Sequence, residues 1–197
     1  FTGLNGMFLL SLAISYFMPL MNAVVKQRTL ATYISNLGKS PHEIILNGWN
    51  GKNFNLIHDQ FKELYPMILL HCEQQLAYPV LMYFHSPNPS YSTQLNLAKL
   101  DEVLSIQEVY KIDKSDNAYI WGNLRMAMDK YLKVVKNSYS FKKVDVPDFP
   151  YKDNLYSLDI SVSEPSATKL LNKIEDRRAF IASLVKNDGR NWQDITG

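Results

Sequence analysis

The sequence predicts a mainly α-helical protein in which one transmembrane helix is followed by a cytosolic helical bundle, with room for one short extended segment. Residues 1–25 contain no Asp, Glu, Lys, Arg or His, so the chain opens on a long uncharged and largely apolar run. Beyond that run, apolar residues recur at spacings of three and four, the period of a helix with one buried face. The chain has 197 residues, 46% of them hydrophobic, which is enough for one membrane segment and one compact domain.

The opening segment is long enough to cross a bilayer. A helix rises about 1.5 Å per residue, so about 20 apolar residues match a hydrocarbon core of about 30 Å. Lys26 and Arg28 follow the run directly, and basic residues favour the cytoplasmic side of a membrane. We therefore expect a span in the inner membrane of a bacterial cell, with the C-terminal domain in the cytoplasm. Because the chain begins with Phe1 rather than Met, we also expect it to be a processed or truncated piece of a longer protein.

Two other interpretations of this segment remain open. A cleaved secretory signal would carry basic residues before its apolar run and a small-residue cleavage site after it, and the sequence has neither feature. A buried helix of a soluble bundle is favoured by the residues that interrupt the apolar character, which are Ser11, Ser15, Pro19 and Asn22.

A mildly polar stripe runs along this predicted helix. Its members, Ser11, Ser15, Met18 and Asn22, fall within a narrow arc, because each residue of a helix advances by about 100°. Such a stripe either lets a second helix approach closely or lines a water-filled pore. Pro19 lacks a backbone donor and its ring clashes with the preceding turn, so a kink is predicted there.

The sequence divides at Gly38, a natural helix stop. We expect residues 1–37 to form the transmembrane helix and a stalk that projects into the cytosol, and residues 38–197 to form the cytosolic helical domain. Ser40 and Glu43 have the spacing of a helix N-terminus closed by a capping box.

The longest helical pattern after the membrane covers residues 53–85, and we expect it to be the core helix of the domain. Pro66 and Pro79 should bend or break it. Residues 138–163 have no helical period and are predicted to be an extended, linker-like segment. Further helices are predicted at residues 93–111 and 118–137, as an antiparallel pair, and at 164–186.

The sequence lacks residues at the spacing of a catalytic or metal site. No two of His58, His71 and His85 have the i, i+4 spacing of a helical zinc site, and the single cysteine, Cys72, lies among apolar residues. We therefore expect no enzyme activity, no metal and no cofactor. A net charge of +2 without a basic stripe also argues against nucleic-acid binding.

Three stretches carry a resemblance to a known family: Gly-Leu-Asn-Gly-Met-Phe-Leu-Leu at residues 3–10, Asn-Gly-Trp-Asn-Gly at 47–51, and residues 73–86. Together they resemble bacterial proteins of the two-transmembrane ion-channel class, the potassium channel family. The resemblance covers about the first half of the chain. In that family, a pore-lining inner helix leads into a cytosolic helical region.

The resemblance implies that Ser11, Ser15, Met18 and Asn22 line a cation pathway and that Pro19 shapes its inner mouth. The chain departs from the family in one respect, because a selectivity filter of the Thr-Val-Gly-Tyr-Gly kind is absent from its 197 residues. This chain alone could not select potassium. If the resemblance holds, the outer helix and the filter must lie upstream of Phe1.

The leading expectation for function is therefore the inner helix and cytosolic domain of a potassium-type cation channel. Its expected partners are the lipid bilayer, further copies of the chain in a homo-oligomer, and potassium or another monovalent cation. The alternatives are a single-pass membrane-anchored helical interaction domain without conduction, and a soluble helical bundle.

Overall fold

The computed structural model describes residues 2–140, 142, 144–147, 155, 160 and 168–196. Most of these residues lie in helices, and no strand occurs among them. The mainly α-helical fold predicted from the sequence, one long apolar N-terminal helix followed by a helical bundle, is thereby confirmed. The helices are α1 (Thr2–Leu37), α2 (Pro41–Gly48), α3 (Asn55–Ala77), α4 (Thr93–Tyr110), α5 (Tyr119–Ser138), α6 (Thr168–Asn187) and α7 (Gln193–Thr196).

Helix α4 lies at the centre of the bundle. Every residue of α4 except Glu108 is buried, and α1, α2, α5, α6 and α7 all pack against it. The core helix predicted within residues 53–85 is present as α3, which contributes Ile57, Phe61, Leu64 and Ile68 to the core. The prediction did not identify α4 as the helix that the others enclose. α4 carries polar and charged residues such as Lys99 and Asp101 among its apolar ones, so its pattern does not reveal a helix that is surrounded on all sides.

The directions of the helices follow from the side chains that meet between them. Tyr131 of α5 donates a hydrogen bond to Gln94 of α4, and Arg125 bonds Asp101 at 2.9 Å, so α4 and α5 are antiparallel as predicted. Helix α3 continues through Pro66 without a break and ends at Ala77, just before Pro79.

Helix α1 has two different halves. Leu30, Ala31 and Ile34 in its C-terminal half are at most 1% exposed and belong to the core. The segment that the sequence suggests is a stalk therefore packs within the bundle instead of projecting as a separate element. Its apolar residues at spacings of three and four face α3 and α4.

The joint between α1 and α2 is tight. A Cβ atom at Gly38 would lie 2.6 Å from the backbone nitrogen of Ile44, which no side chain could tolerate without a shift. The Glu43 N–H donates to Ser40 Oγ at 3.3 Å, and the Lys39 N–H donates to the Glu43 carboxylate at 2.7 Å. The predicted capping interaction is present, with Glu43 reaching back to the residue before the cap.

The predicted extended segment, residues 138–163, lies largely outside the described residues. Of the part that is described, Ser138 ends α5, residues 144–147 follow an irregular course without a strand, and Leu155 has a helical backbone, so the segment is not extended throughout. The Pro147 carbonyl accepts a hydrogen bond from Arg178 of α6 at 2.6 Å, so this part of the segment is tied to the bundle.

Candidate membrane site

The N-terminal half of α1 stands clear of the bundle. Residues 6–19 are all exposed, and Leu20 is the first buried residue of the helix. Large apolar side chains such as Phe8 (68% exposed) and Phe17 (55%) lie on this surface. An apolar surface of this extent on a soluble monomer would be unusual, and it is typical of a segment that contacts lipid.

The length of α1 before the bundle fits a bilayer. At about 1.5 Å per residue, the helical residues 2–19 extend over roughly 27 Å, close to a hydrocarbon core of about 30 Å. Among the described residues, one helix is long and apolar enough to cross a membrane, over Gly6–Leu37, with a mean hydropathy of 1.8 in its most apolar window. Since the later part of that range is bundle core, the free part ends near Leu20 rather than at Lys26.

The sequence-predicted stripe is exposed along its whole length. The bundle does not bury any of its four residues, which are Ser11, Ser15, Met18 and Asn22. The Ser11 hydroxyl donates to the Met7 carbonyl at 2.9 Å, and the Ser15 hydroxyl donates to the Ser11 carbonyl at 2.9 Å. The two hydroxyls are thus satisfied within their own helix, which lowers the cost of placing them in lipid.

The stripe also faces away from the bundle. The face of α1 that docks on the bundle at this level consists of Leu20, Ala23 and Val24. At about 100° per residue, the mean direction of that face lies roughly 160° from the direction of the stripe. A second helix or a water-filled space could therefore meet the stripe without displacing the bundle. Its assignment as pore lining stays a prediction.

Pro19 lies at the last exposed position before the bundle begins. α1 runs on through Pro19 as one helix from Thr2 to Leu37. The kink predicted at Pro19 stays a prediction.

A collar of turns packs against the docking side of α1 where the bare half ends. We define the collar as residues 76–91, which include the 3-10 turns Pro79–Tyr83 and Pro89–Tyr91. Tyr78 meets Tyr16 of α1 edge to face, with ring centroids 5.8 Å apart. Leu81 packs on the docking face of α1, and the second turn also contacts α1.

Sequence reasoning missed the collar, although a signal was present. No Asp, Glu, Lys or Arg occurs between residues 74 and 98. An uncharged stretch of this length is unusual in a chain in which 20% of residues are charged. The apolar residues in it were interpreted as the end of a core helix, whereas several of them lie on the surface.

The three histidines considered above as ligands lie in different environments. His58 Nε2 lies 2.7 Å from a carboxylate oxygen of Asp113, which also accepts the Trp121 indole N–H. His85 Nδ1 lies 2.6 Å from Asp188. His71 is buried with neither ring nitrogen hydrogen-bonded, and burial lowers its pKa to about 4. The two carboxylate contacts are those of ordinary structural histidines. No group of three potential metal ligands occurs among the described residues.

The cysteine is equally unsuited to chemistry. Cys72 is fully buried, and burial raises the pKa of its thiol to about 11. A thiol with this pKa is almost entirely protonated at neutral pH, and only the thiolate is a good nucleophile.

An ionic cluster ties α4 to its neighbours. Asp101 is fully buried and accepts hydrogen bonds from Arg125 of α5 and Arg177 of α6. Burial alone would raise the pKa of Asp101, but the two guanidinium groups hold it below its usual range. Glu102 is also buried and accepts a hydrogen bond from Arg178 of α6 at 2.8 Å. These pairs are enclosed within the bundle and explain how a charged helix can lie at its centre.

A bacterial membrane protein is similar to this chain over most of its length. The uncharacterized membrane protein YdjJ of Bacillus subtilis (strain 168) is 26% identical over 191 residues, which is 95% of this chain and 56% of that protein. The chain therefore spans about half the length of the curated relative it matches. No protein-family model and no solved structure matches the chain. The membrane-protein relative and the candidate span together indicate membrane association.

Proposed function

We propose that this chain is a single-pass, membrane-anchored helical interaction domain, with α1 as its anchor. The observation that carries the proposal is the continuity of α1, which is bare and apolar over residues 6–19 and then enters the core of the bundle. Because one backbone serves both halves, the position and rotation of the anchor in the membrane fix those of the bundle.

The charges near the junction support one orientation. Lys26 and Arg28 lie just beyond the docking face of α1, and both are exposed. Basic residues at the end of a span favour the cytoplasmic side, where they also meet anionic lipid headgroups. We therefore place the bundle in the cytoplasm of a bacterial cell, against the inner membrane.

A second candidate function is the pore-lining part of a potassium-type channel. The observation that favours it is the direction of the stripe formed by Ser11, Ser15, Met18 and Asn22, which is exposed and turned away from the bundle. In a homo-oligomer, such stripes could face a common axis and pass potassium or another monovalent cation.

The anchoring proposal predicts that charge in the bare half removes the chain from membranes. Leu10→Arg together with Leu12→Arg places two guanidinium groups near the middle of the span, at a cost of about 5–7 kcal/mol for insertion. We expect the wild-type chain in the membrane pellet after alkaline washing of bacterial cells, and most of the double variant outside that pellet.

The matched control places the same charges on the bundle. Leu56 and Met126 are 58% and 66% exposed, comparable with Leu10 and Leu12 at 62% and 57%. Leu56→Arg with Met126→Arg should leave the chain in the membrane pellet. If the wild-type chain is recovered in the soluble fraction without detergent, the buried-helix alternative is correct and the anchor is refuted.

A further inference from the structure

The collar has a surface that the bundle does not use. Tyr83 is 64% exposed, Leu76 54%, and Val80 and Phe84 39% each. These four side chains lie within nine positions of one another in a region without Asp, Glu, Lys or Arg. A cluster of exposed aromatic and aliphatic residues in an uncharged region indicates a surface that is covered in the assembled state.

The place of the collar relative to α1 indicates what covers it. Tyr78 meets Tyr16, and Leu81 packs on Leu20 and its neighbours. The collar thus lies at the level of α1 where the bare half ends and the bundle begins. If the bare half spans the hydrocarbon, as the proposed function requires, the collar lies at the height of the adjoining lipid headgroups.

The residue types of the collar are those expected at the level of the lipid headgroups. Tyrosine has an apolar ring and a polar hydroxyl, and aromatic residues of this kind concentrate where the hydrocarbon meets the headgroups. Tyr83 also packs edge to face against Tyr139 with centroids 6.3 Å apart, and the Tyr139 hydroxyl donates to the Pro79 carbonyl. These contacts hold the Pro79–Tyr83 turn in place, so the exposed Tyr83 ring has a fixed position on the surface.

We propose that the collar is a second membrane-contact surface, which lies in the headgroup region of the same bilayer that α1 crosses. Tyr83, Val80 and Phe84 are its lipid-facing residues. The collar gives the bundle two attachments to the membrane, one spanning and one interfacial, and thereby fixes its tilt. A lipid surface is favoured over a protein partner because the collar lies at the level where the bare half ends and contains no Asp, Glu, Lys or Arg to pair with charges of a partner. The proposal rests on the proposed anchoring function.

Nitroxide labels at matched positions test the proposal. The full chain with Cys72→Ala receives one cysteine at a time, by Phe17→Cys, Tyr83→Cys or Tyr119→Cys, in vesicles of phosphatidylethanolamine and phosphatidylglycerol. Tyr119 matches Tyr83 in type and exposure, at 60% against 64%, but begins α5 at the opposite end of the bundle from the collar. Electron paramagnetic resonance then measures collisions of each label with oxygen, which concentrates in lipid, and with a water-soluble nickel chelate.

We expect the label at residue 17 to collide mainly with oxygen and the label at residue 119 mainly with nickel. The oxygen-to-nickel ratio at residue 83 should lie between them, several-fold above that at residue 119. A ratio at 83 equal to that at 119, with 17 in lipid, would overturn the collar and leave the anchor intact. A label at 83 shielded from both reagents would indicate a protein contact and overturn lipid as the occupant. Nickel access at residue 17 would instead refute the anchor and the collar with it.

Discussion

At the scale of single residues, burying a charged side chain costs free energy unless an oppositely charged partner is present or the side chain is neutral. His71 stacks on the Tyr131 ring at 5.5 Å between centroids and has no hydrogen bond to either nitrogen. Burial holds its pKa at about 4, so the ring is neutral in the folded state over the physiological range.

The depressed pKa of His71 predicts a loss of stability in acid. The unfolded chain binds a proton near the ordinary histidine pKa of 6.5, whereas the folded chain resists it until about 4. Stability should therefore fall as the pH drops from about 6.5 to 4, by roughly 3 kcal/mol from this residue. Urea unfolding in detergent, followed by tryptophan fluorescence, measures the effect.

A variant isolates the contribution of this one ring. His71→Phe keeps an aromatic ring but cannot bind a proton, so its stability should decline less over the same pH range than that of the wild type. Tyr131→Phe retains His71 and should keep the steeper decline. Equal pH profiles for wild type and His71→Phe would contradict the assignment.

At the scale of helices, spacing predicted the elements better than their roles. The periods of three and four located α4, α5 and α6 to within about four residues, because each of these helices has apolar residues for a buried face. They also located the start of α3, but α3 ends at Ala77, well before the predicted end at His85. The pattern did not show that α4 is central, because its charges at Asp101 and Glu102 are neutralised by Arg125, Arg177 and Arg178 from other helices. Such partners are distant in sequence, so no local pattern can supply them.

The joint between α1 and α2 gives a prediction at this scale. Gly38→Ala would place a Cβ atom 2.6 Å from the Ile44 backbone, so one helix must move and we expect a cost of about 1–3 kcal/mol. Gly122→Ala in α5 meets no atom within 4 Å and should stabilise by about 0.5–1 kcal/mol through helix propensity. Chemical unfolding of both variants in detergent measures the difference. A stable Gly38→Ala would show that α1 and α2 are less tightly joined than described.

At the scale of the whole molecule, the question is whether the exposed stripe of α1 conducts ions. The anchoring proposal predicts that vesicles containing the chain lose potassium no faster than empty vesicles, as followed by a potassium-sensitive dye. A cation flux that disappears with Ser15→Leu and Asn22→Leu, but persists with Thr29→Leu on the same face beyond the docking residues, would favour the channel. Because the chain lacks a filter, that flux would not distinguish potassium from sodium.

The sequence by itself determined the helical class, the approximate bounds of the longer helices and the apolar run that indicates membrane association. Each of these depends on local composition or on a period of a few residues, which are visible in one chain. Only the tertiary structure decided that α1 leaves the bundle near Leu20, that α4 lies at its centre, and that the collar packs against α1 where the bare half ends. The physical reason is that burial and charge pairing depend on residues far apart in sequence, such as Tyr16 with Tyr78 and Asp101 with Arg177, and only folding brings them together.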